Sequence, residues 1–170
     1  MHVPVLLKEM LRFLSPKDNG VYVDATFGGG GYTQAILESA NCRVLAIDRD
    51  PDAIERGKAL QKKFPDRLTL IHGSFGQIDT LVTEQVDGVV FDYGVSSFQL
   101  DEAHRGFSFM RSGPLDMRMS QDGMTAAHVV NTYSAYDLAD IIFHYGDETY
   151  SRSIARAIVR ARQEEPFETT

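Results

Sequence analysis

VYVDATFGGGGYTQAILE, the stretch from Val21 to Glu38, decides the fold. Val21 to Thr26 alternates briefly as a strand does, Phe27 to Gly31 supplies a tight glycine turn, and Tyr32 to Glu38 reads as a helix. A strand that turns at once into a helix opens a parallel sheet, because parallel neighbours are joined by helical crossovers.

The alternation continues downstream. Arg43 to Asp48 is a second strand, and Pro51, suited to a first helical turn, begins a helix that runs to about Lys63. Leu68 to His72 is a third strand, a short helix follows near Gln77 to Thr83, and Val86 to Asp92 is the fourth strand. Upstream, Val3, Leu6, Leu7, Met10, Leu11 and Leu14 share one face at helical spacing, so Val3 to Leu14 reads as an amphipathic helix stopped by Pro16. The fold class is therefore α/β: about four parallel strands with helices on both faces.

Beyond Met119 the strands cease. Ala126 to Asn131, Ala135 to His144 and Thr149 to Arg162 all read as helix, so the chain divides into a sheet domain over residues 1–119 and the start of a helical insertion over residues 120–170. Doubly wound sheets usually have five or more strands. The sheet is expected to be incomplete and the chain to be an N-terminal fragment.

Composition narrows the function classes. With 43% hydrophobic and 24% charged residues in 170, the chain reads as an ordinary globular protein of the cytoplasm. Its longest apolar runs fall far short of the roughly 20 residues that span a bilayer, and the start MHVPVLLKEM lacks a basic signal region. Cys42 is the sole cysteine, which excludes an internal disulfide, and the five histidines show no metal-ligand spacing; no metal is expected. A net charge of −7 argues against polyanion binding by the whole surface, although it leaves room for a local basic face.

In open α/β sheets ligands lie outside the carboxyl ends of the strands. Asp24, Asp48 and Asp92 occupy three such ends, and Asp48 follows Gly28 by 20 residues, a spacing at which an acid takes ribose hydroxyls. A dinucleotide turn, G-x-G-x-x-G counted from Gly28, would need glycine where Thr33 stands. A pocket bordered by Asp24 and Asp92 would also repel a pyrophosphate, yet it suits the cationic sulfonium and ammonium of S-adenosylmethionine. Asp50 and Asp52 read as acids at a helix N-terminus. Phe75, just after the third strand, either covers an adenine ring or packs in the core.

Asp92 to Met119, DYGVSSFQLDEAHRGFSFMRSGPLDMRM, shows no sustained period and is longer than an idle connection usually is. Its Phe98, Phe107 and Phe109 either meet an unstacked base or pack the loop onto the sheet. Arg105, Arg111 and Arg118 either contact phosphates or tie the loop to Asp101 and Asp116. Arg152, Arg156 and Arg160 recur every four residues, either as an RNA-backbone track or as a solvated helix face.

Together HVPVLLKE, DATFGGGGYT, AIDRDP, HGSF and above all the Asp92–Met119 block closely resemble the MraW family of methyltransferases. The resemblance covers essentially the whole chain. It implies a Rossmann-like class I methyltransferase domain with an inserted helical domain, using S-adenosylmethionine to methylate the N4 amine of a cytidine in the decoding region of 16S ribosomal RNA in the small ribosomal subunit. It places donor contacts on Gly30, Gly31, Tyr32, Asp48, Phe75, Asp92 and Gln99. Asp92 and the carbonyls of Tyr93 to Ser96 are placed to accept from the cytosine amine, with Asp92 in a positioning role. The family usually has histidine where this chain has Tyr32 and leucine where it has Tyr93. Two other readings are an NAD-dependent oxidoreductase, supported by the glycine turn and Asp48, and a donor-binding module without turnover. No membrane partner is expected, and an oligomer is compatible with the sequence.

Overall fold

Residues two apart on a strand share a face, and here both faces are apolar, which requires cover on each side of the sheet. The computed structural model, which describes residues 4–170, shows this arrangement. Strands β1 (Val21–Asp24), β2 (Arg43–Asp48), β3 (Leu68–His72) and β4 (Gly88–Val90) form one parallel sheet in the order β3-β2-β1-β4. Tyr22, Val44 and Ala46 point to one face, where Ile36, Leu37, Phe27 and Ala53 complete a buried cluster. Val23, Leu45 and Ile47 point to the other, beneath Ile78, Leu81 and Val82.

Helix α1 (Leu7–Leu14) lays Met10, Leu11 and Leu14 against the first cluster. It starts later than the apolar spacing predicts, since Leu6 adopts a left-handed φ of 51°, and Val3 lies outside the described residues. Helices α2 (Gly31–Ser39) and α3 (Pro51–Lys63) are the first two crossovers. Asp50 caps α3 by accepting from the Asp52 amide at 3.0 Å, with Pro51 in the first turn. The third crossover is a 3-10 turn at Phe75–Gln77 running into α4 (Ile78–Leu81), so the helix expected at Gln77 to Thr83 starts earlier and is shorter.

The chain forms two compact units, residues 1–98 with 119–121 and residues 99–118 with 122–170. Most of the long segment after β4 therefore belongs with the later helices, whereas the sequence reading kept it with the sheet. Nor is it structureless: α5 (Ser97–Asp101) and a 3-10 turn at Ala103–Arg105 lie within it. Five residues are too few to display a helical period. Gly113 is needed where the segment crosses itself, because a Cβ there would overlap the Ala103 carbonyl. The Leu115 amide donates to the Glu168 carbonyl at 2.9 Å and that of Thr170 to Gly113 at 3.0 Å, fastening the C-terminal residues to the crossing.

Helices α6 (Ala126–Thr132), α7 (Ala135–Gly146) and α8 (Ser151–Glu164) pack around Leu138, Ala139 and Ala155. Thr125 and Ser134 cap α6 and α7 through their hydroxyls, at 3.1 Å to the amides of His128 and Asp137. In the first unit, Gln121 donates to Asp52 at 2.6 Å and to Asp50 at 3.3 Å, returning residues 119–121 to the start of α3.

Candidate functional site

Strand order reverses at β1, which has β2 on one side and β4 on the other, so the crevice at their carboxyl ends is the switch point where α/β sheets bind ligands. The glycine turn enters this crevice. Gly28 and Gly30 have φ of 51° and 76°, and a Cβ on Gly30 would stand 2.8 Å from the Phe27 ring. Only a residue without a side chain meets both demands at Gly30.

The three aspartates have three different surroundings. Asp24 is fully buried: Oδ2 accepts the Thr33 hydroxyl at 2.6 Å and Oδ1 the Thr26 amide at 3.2 Å. Burial raises its carboxyl from 3.8 to about 6, against the lowering effect of the Thr33 and Thr26 bonds. It does not border an open pocket, as the sequence reading expected; it braces the turn from beneath. Thr33, where a dinucleotide turn would carry its third glycine, supplies the hydroxyl for that brace.

Asp48 is half-buried and holds the turn from the side, Oδ2 accepting the Gly28 amide at 2.6 Å and Oδ1 that of Asp50 at 2.8 Å. Burial raises its carboxyl too, while the Asp50 and Gly28 amides pull it down. Each of its oxygens keeps a second acceptor position. Asp92 is exposed and stands two residues beyond the end of β4. Its amide donates to the Thr26 Oγ1 at 2.7 Å, which ties the end of β4 to the entrance of the glycine turn.

Tyr32, in the first turn of α2, donates its hydroxyl to the Val5 carbonyl, and a Cβ on Gly31 would overlap Pro4. Residues Pro4 and Val5 therefore lie across the start of α2. Partial burial, then the nearby charges of Asp92 and Asp24, raise the Tyr32 phenol above its ordinary value. Phe75 belongs to an exposed group of rings, meeting Phe91 at 5.8 Å and Tyr93 at 5.7 Å in edge contacts, while Phe91 and Tyr93 stack at 5.5 Å. Between its two sequence readings, the structure excludes the core one. Phe98 lies beside Gly29, with the Arg56 guanidinium 4.4 Å from its ring centroid.

Glycines, a half-buried acid, an exposed acid and an aromatic group thus meet at one switch point. Residues 1–170 match the sequence model of the MraW methylase family. The chain belongs to that family. Among curated relatives, Ribosomal RNA small subunit methyltransferase H of Acidiphilium cryptum is 57% identical over 99% of this chain and 55% of its own. The proteins of the same name from Parvibaculum lavamentivorans and Rhodospirillum rubrum are 61% and 55% identical, over 95% and 99% of this chain and 49% and 53% of theirs. The chain spans about half the length of the curated relatives it matches.

Six of the seven donor contacts expected for a chain of the MraW family fall in the first unit: Gly30, Gly31, Tyr32, Asp48, Phe75 and Asp92. Gln99 is buried and falls in the second. Sequence reasoning missed Thr26 and Phe91, and the alternation of Phe91 with Tyr93 was the signal available for the aromatic group.

The loop arginines tie the segment together. Arg118 forms a fork with Asp116, Nε to Oδ1 at 3.0 Å and Nη2 to Oδ2 at 2.8 Å, which holds the Asp116 carboxyl below its usual range. Arg105 is buried and donates to the Arg118 carbonyl at 3.0 Å, and Arg111 donates to the backbone carbonyl of Asp101, not to its carboxylate, at 3.2 Å. Phe107 is half-buried and Phe109 is 87% exposed, so Phe109 does not pack the loop. On α8, Arg152, Arg156 and Arg160 are all exposed. No helix among the described residues is long and apolar enough to cross a membrane.

Proposed function

We propose that this chain carries the donor-binding part of an S-adenosylmethionine-dependent methyltransferase acting on the N4 amine of a cytidine in the decoding region of 16S ribosomal RNA. The observation that carries the reading is the meeting of the glycine turn with Asp48 and Asp92 at the β1/β4 switch point. The surroundings fit the donor: the turn offers backbone without side chains, Asp48 keeps acceptor positions for ribose hydroxyls, and Thr33 stands where a dinucleotide turn carries its third glycine. Membership of the MraW methylase family and the printed names of the relatives support the ribosomal RNA substrate. The small subunit is then the partner and the cytoplasm the place of action.

When bound, S-adenosylmethionine would supply an electrophilic methyl group on a sulfonium to the cytosine nitrogen. The work of the chain is positioning. Gly30, Gly31 and Tyr32 would line the donor's amino-acid end, Asp48 would hold the ribose and Phe75 the adenine. The cytosine amine is a poor nucleophile because its lone pair is delocalised into the ring. Asp92 accepts an N–H of that amine, favours its pyramidal form and lets the departing proton leave. The Thr26 hydroxyl holds the Asp92 backbone against the turn, so donor and acceptor groups share one rigid support.

Transfer of tritiated methyl to small subunits and to naked 16S RNA tests this reading, with the chain alone and joined to the C-terminal half of the Acidiphilium cryptum relative. Label on a cytidine N4 of the decoding region is the expected result. Label on another base, or none with the joined protein, overturns it.

A further inference from the structure

Tyr93 is 72% exposed, and one of its faces is already occupied. It stacks on Phe91 at 5.5 Å between centroids and 15° between planes, while Phe75 meets both rings edge-on, at 89° to Phe91 and 73° to Tyr93. The three rings form a corner: a parallel pair as one wall and Phe75 as the other. An exposed aromatic corner at the carboxyl ends of β3 and β4 is costly in water unless a planar ligand uses it.

Resting on the donor reading above, we infer that Tyr93 is an adenine-binding residue, forming with Phe91 the second wall of the corner that Phe75 begins. Position along the chain decides between donor and acceptor. Phe91 and Tyr93, two residues apart, share the side of the backbone that faces Phe75. Asp92 lies between them, its amide bonded to the Thr26 hydroxyl at the entrance of the glycine turn. Tyr93 therefore groups with Phe75, the ring assigned to adenine. The flat face of a purine stacks on the open face of Tyr93, and a phenol contributes there by area and quadrupole, which an aliphatic side chain lacks.

Calorimetry with S-adenosylhomocysteine and with adenosine tests the assignment on the chain as it stands, in wild-type, Tyr93→Leu and Tyr93→Phe forms. The expected result is a loss of about three- to tenfold for both ligands in Tyr93→Leu, with Tyr93→Phe within about twofold of wild type. Nuclear Overhauser contacts between the Tyr93 ring protons and adenine H2 or H8 are expected in the wild-type complex. Unchanged affinity in Tyr93→Leu, or a loss for S-adenosylhomocysteine without one for adenosine, overturns the assignment. So does weakened RNA binding with unchanged affinity for both small ligands. A wild-type chain that binds neither ligand overturns the donor reading itself.

Discussion

Thr33 donates its hydroxyl to Asp24 at 2.6 Å, and both side chains are fully buried. The bond joins the end of β1 to the first turn of α2, so the glycine turn between them is clamped at both ends. A buried carboxylate with few partners is an unfavourable charge, and its protonation state registers in stability.

The Asp24 carboxyl, near 6 in the folded chain and 3.8 when exposed, binds its proton more tightly in the native state. Its contribution to stability is fully present below pH 3.8 and is lost as pH rises through about 6. Asp24→Asn keeps one acceptor and gains a donor for the Thr33 hydroxyl, and it removes the charge. Relative to wild type, the variant is expected to gain about 2 kcal/mol between pH 4 and pH 7.5. Urea unfolding of both proteins across that range measures the difference. Thr33→Val works the other way at neutral pH, costing about 2 kcal/mol.

Gly30→Ala places a Cβ 2.8 Å from the Phe27 ring and 3.1 Å from Leu60 at a φ of 76°. Strain and overlap together are expected to cost about 2 kcal/mol or more. Thermal unfolding checks the stability, and calorimetry with S-adenosylhomocysteine checks the site, where binding is expected to fall at least tenfold.

Asp48→Asn exchanges one acceptor oxygen for a donor, so either the Gly28 or the Asp50 amide loses its partner. The expected cost is about 1 to 3 kcal/mol in stability. Affinity for S-adenosylhomocysteine is expected to fall about tenfold through the lost ribose acceptor. Asp48→Glu retaining full affinity would argue against a fixed ribose contact.

Asp92→Ala leaves the backbone bond to Thr26 in place, since that bond uses the amide. Stability is therefore expected to change little, while methyl transfer by the joined protein falls at least tenfold. A rate equal to wild type in the tritium assay would remove Asp92 from acceptor positioning.

Arg118→Lys replaces a two-pronged partner of Asp116 with a point charge. The Asp116 carboxyl is held low by Arg118, so the stability this pair contributes is present above 3.8 and is lost as pH falls through the lower folded value. The variant is expected to unfold slightly earlier at neutral pH in low salt and identically in acid, as unfolding scans at two salt concentrations would reveal.

The central sheet was legible because its signals agree. Pro51 behind Asp50, and the apolar runs of β2 and β3, mark boundaries that the structure reproduces at Arg43–Asp48, Pro51–Lys63 and Leu68–His72. At the edges, local signals compete. β4 reads as Val86 to Asp92 from composition but pairs only at Gly88–Val90, because its partner, β1, extends only over Val21–Asp24. Asp24 was placed at the right strand end and in the wrong surroundings, since an acid at a strand terminus looks the same whether it faces a pocket or a threonine nine residues on. The group around Tyr93 needed the third crossover, which carries Phe75 toward β4, and no linear pattern displays that.

The contact of Pro4 with Gly31 and of Val5 with Tyr32 has a practical side. Pro4 and Val5 lie across the helix start on which the donor is expected to rest, so a purification handle at the amino terminus would bear on that start through them. A ligand-binding measurement made with an amino-terminal fusion would therefore report on the fusion as much as on the chain.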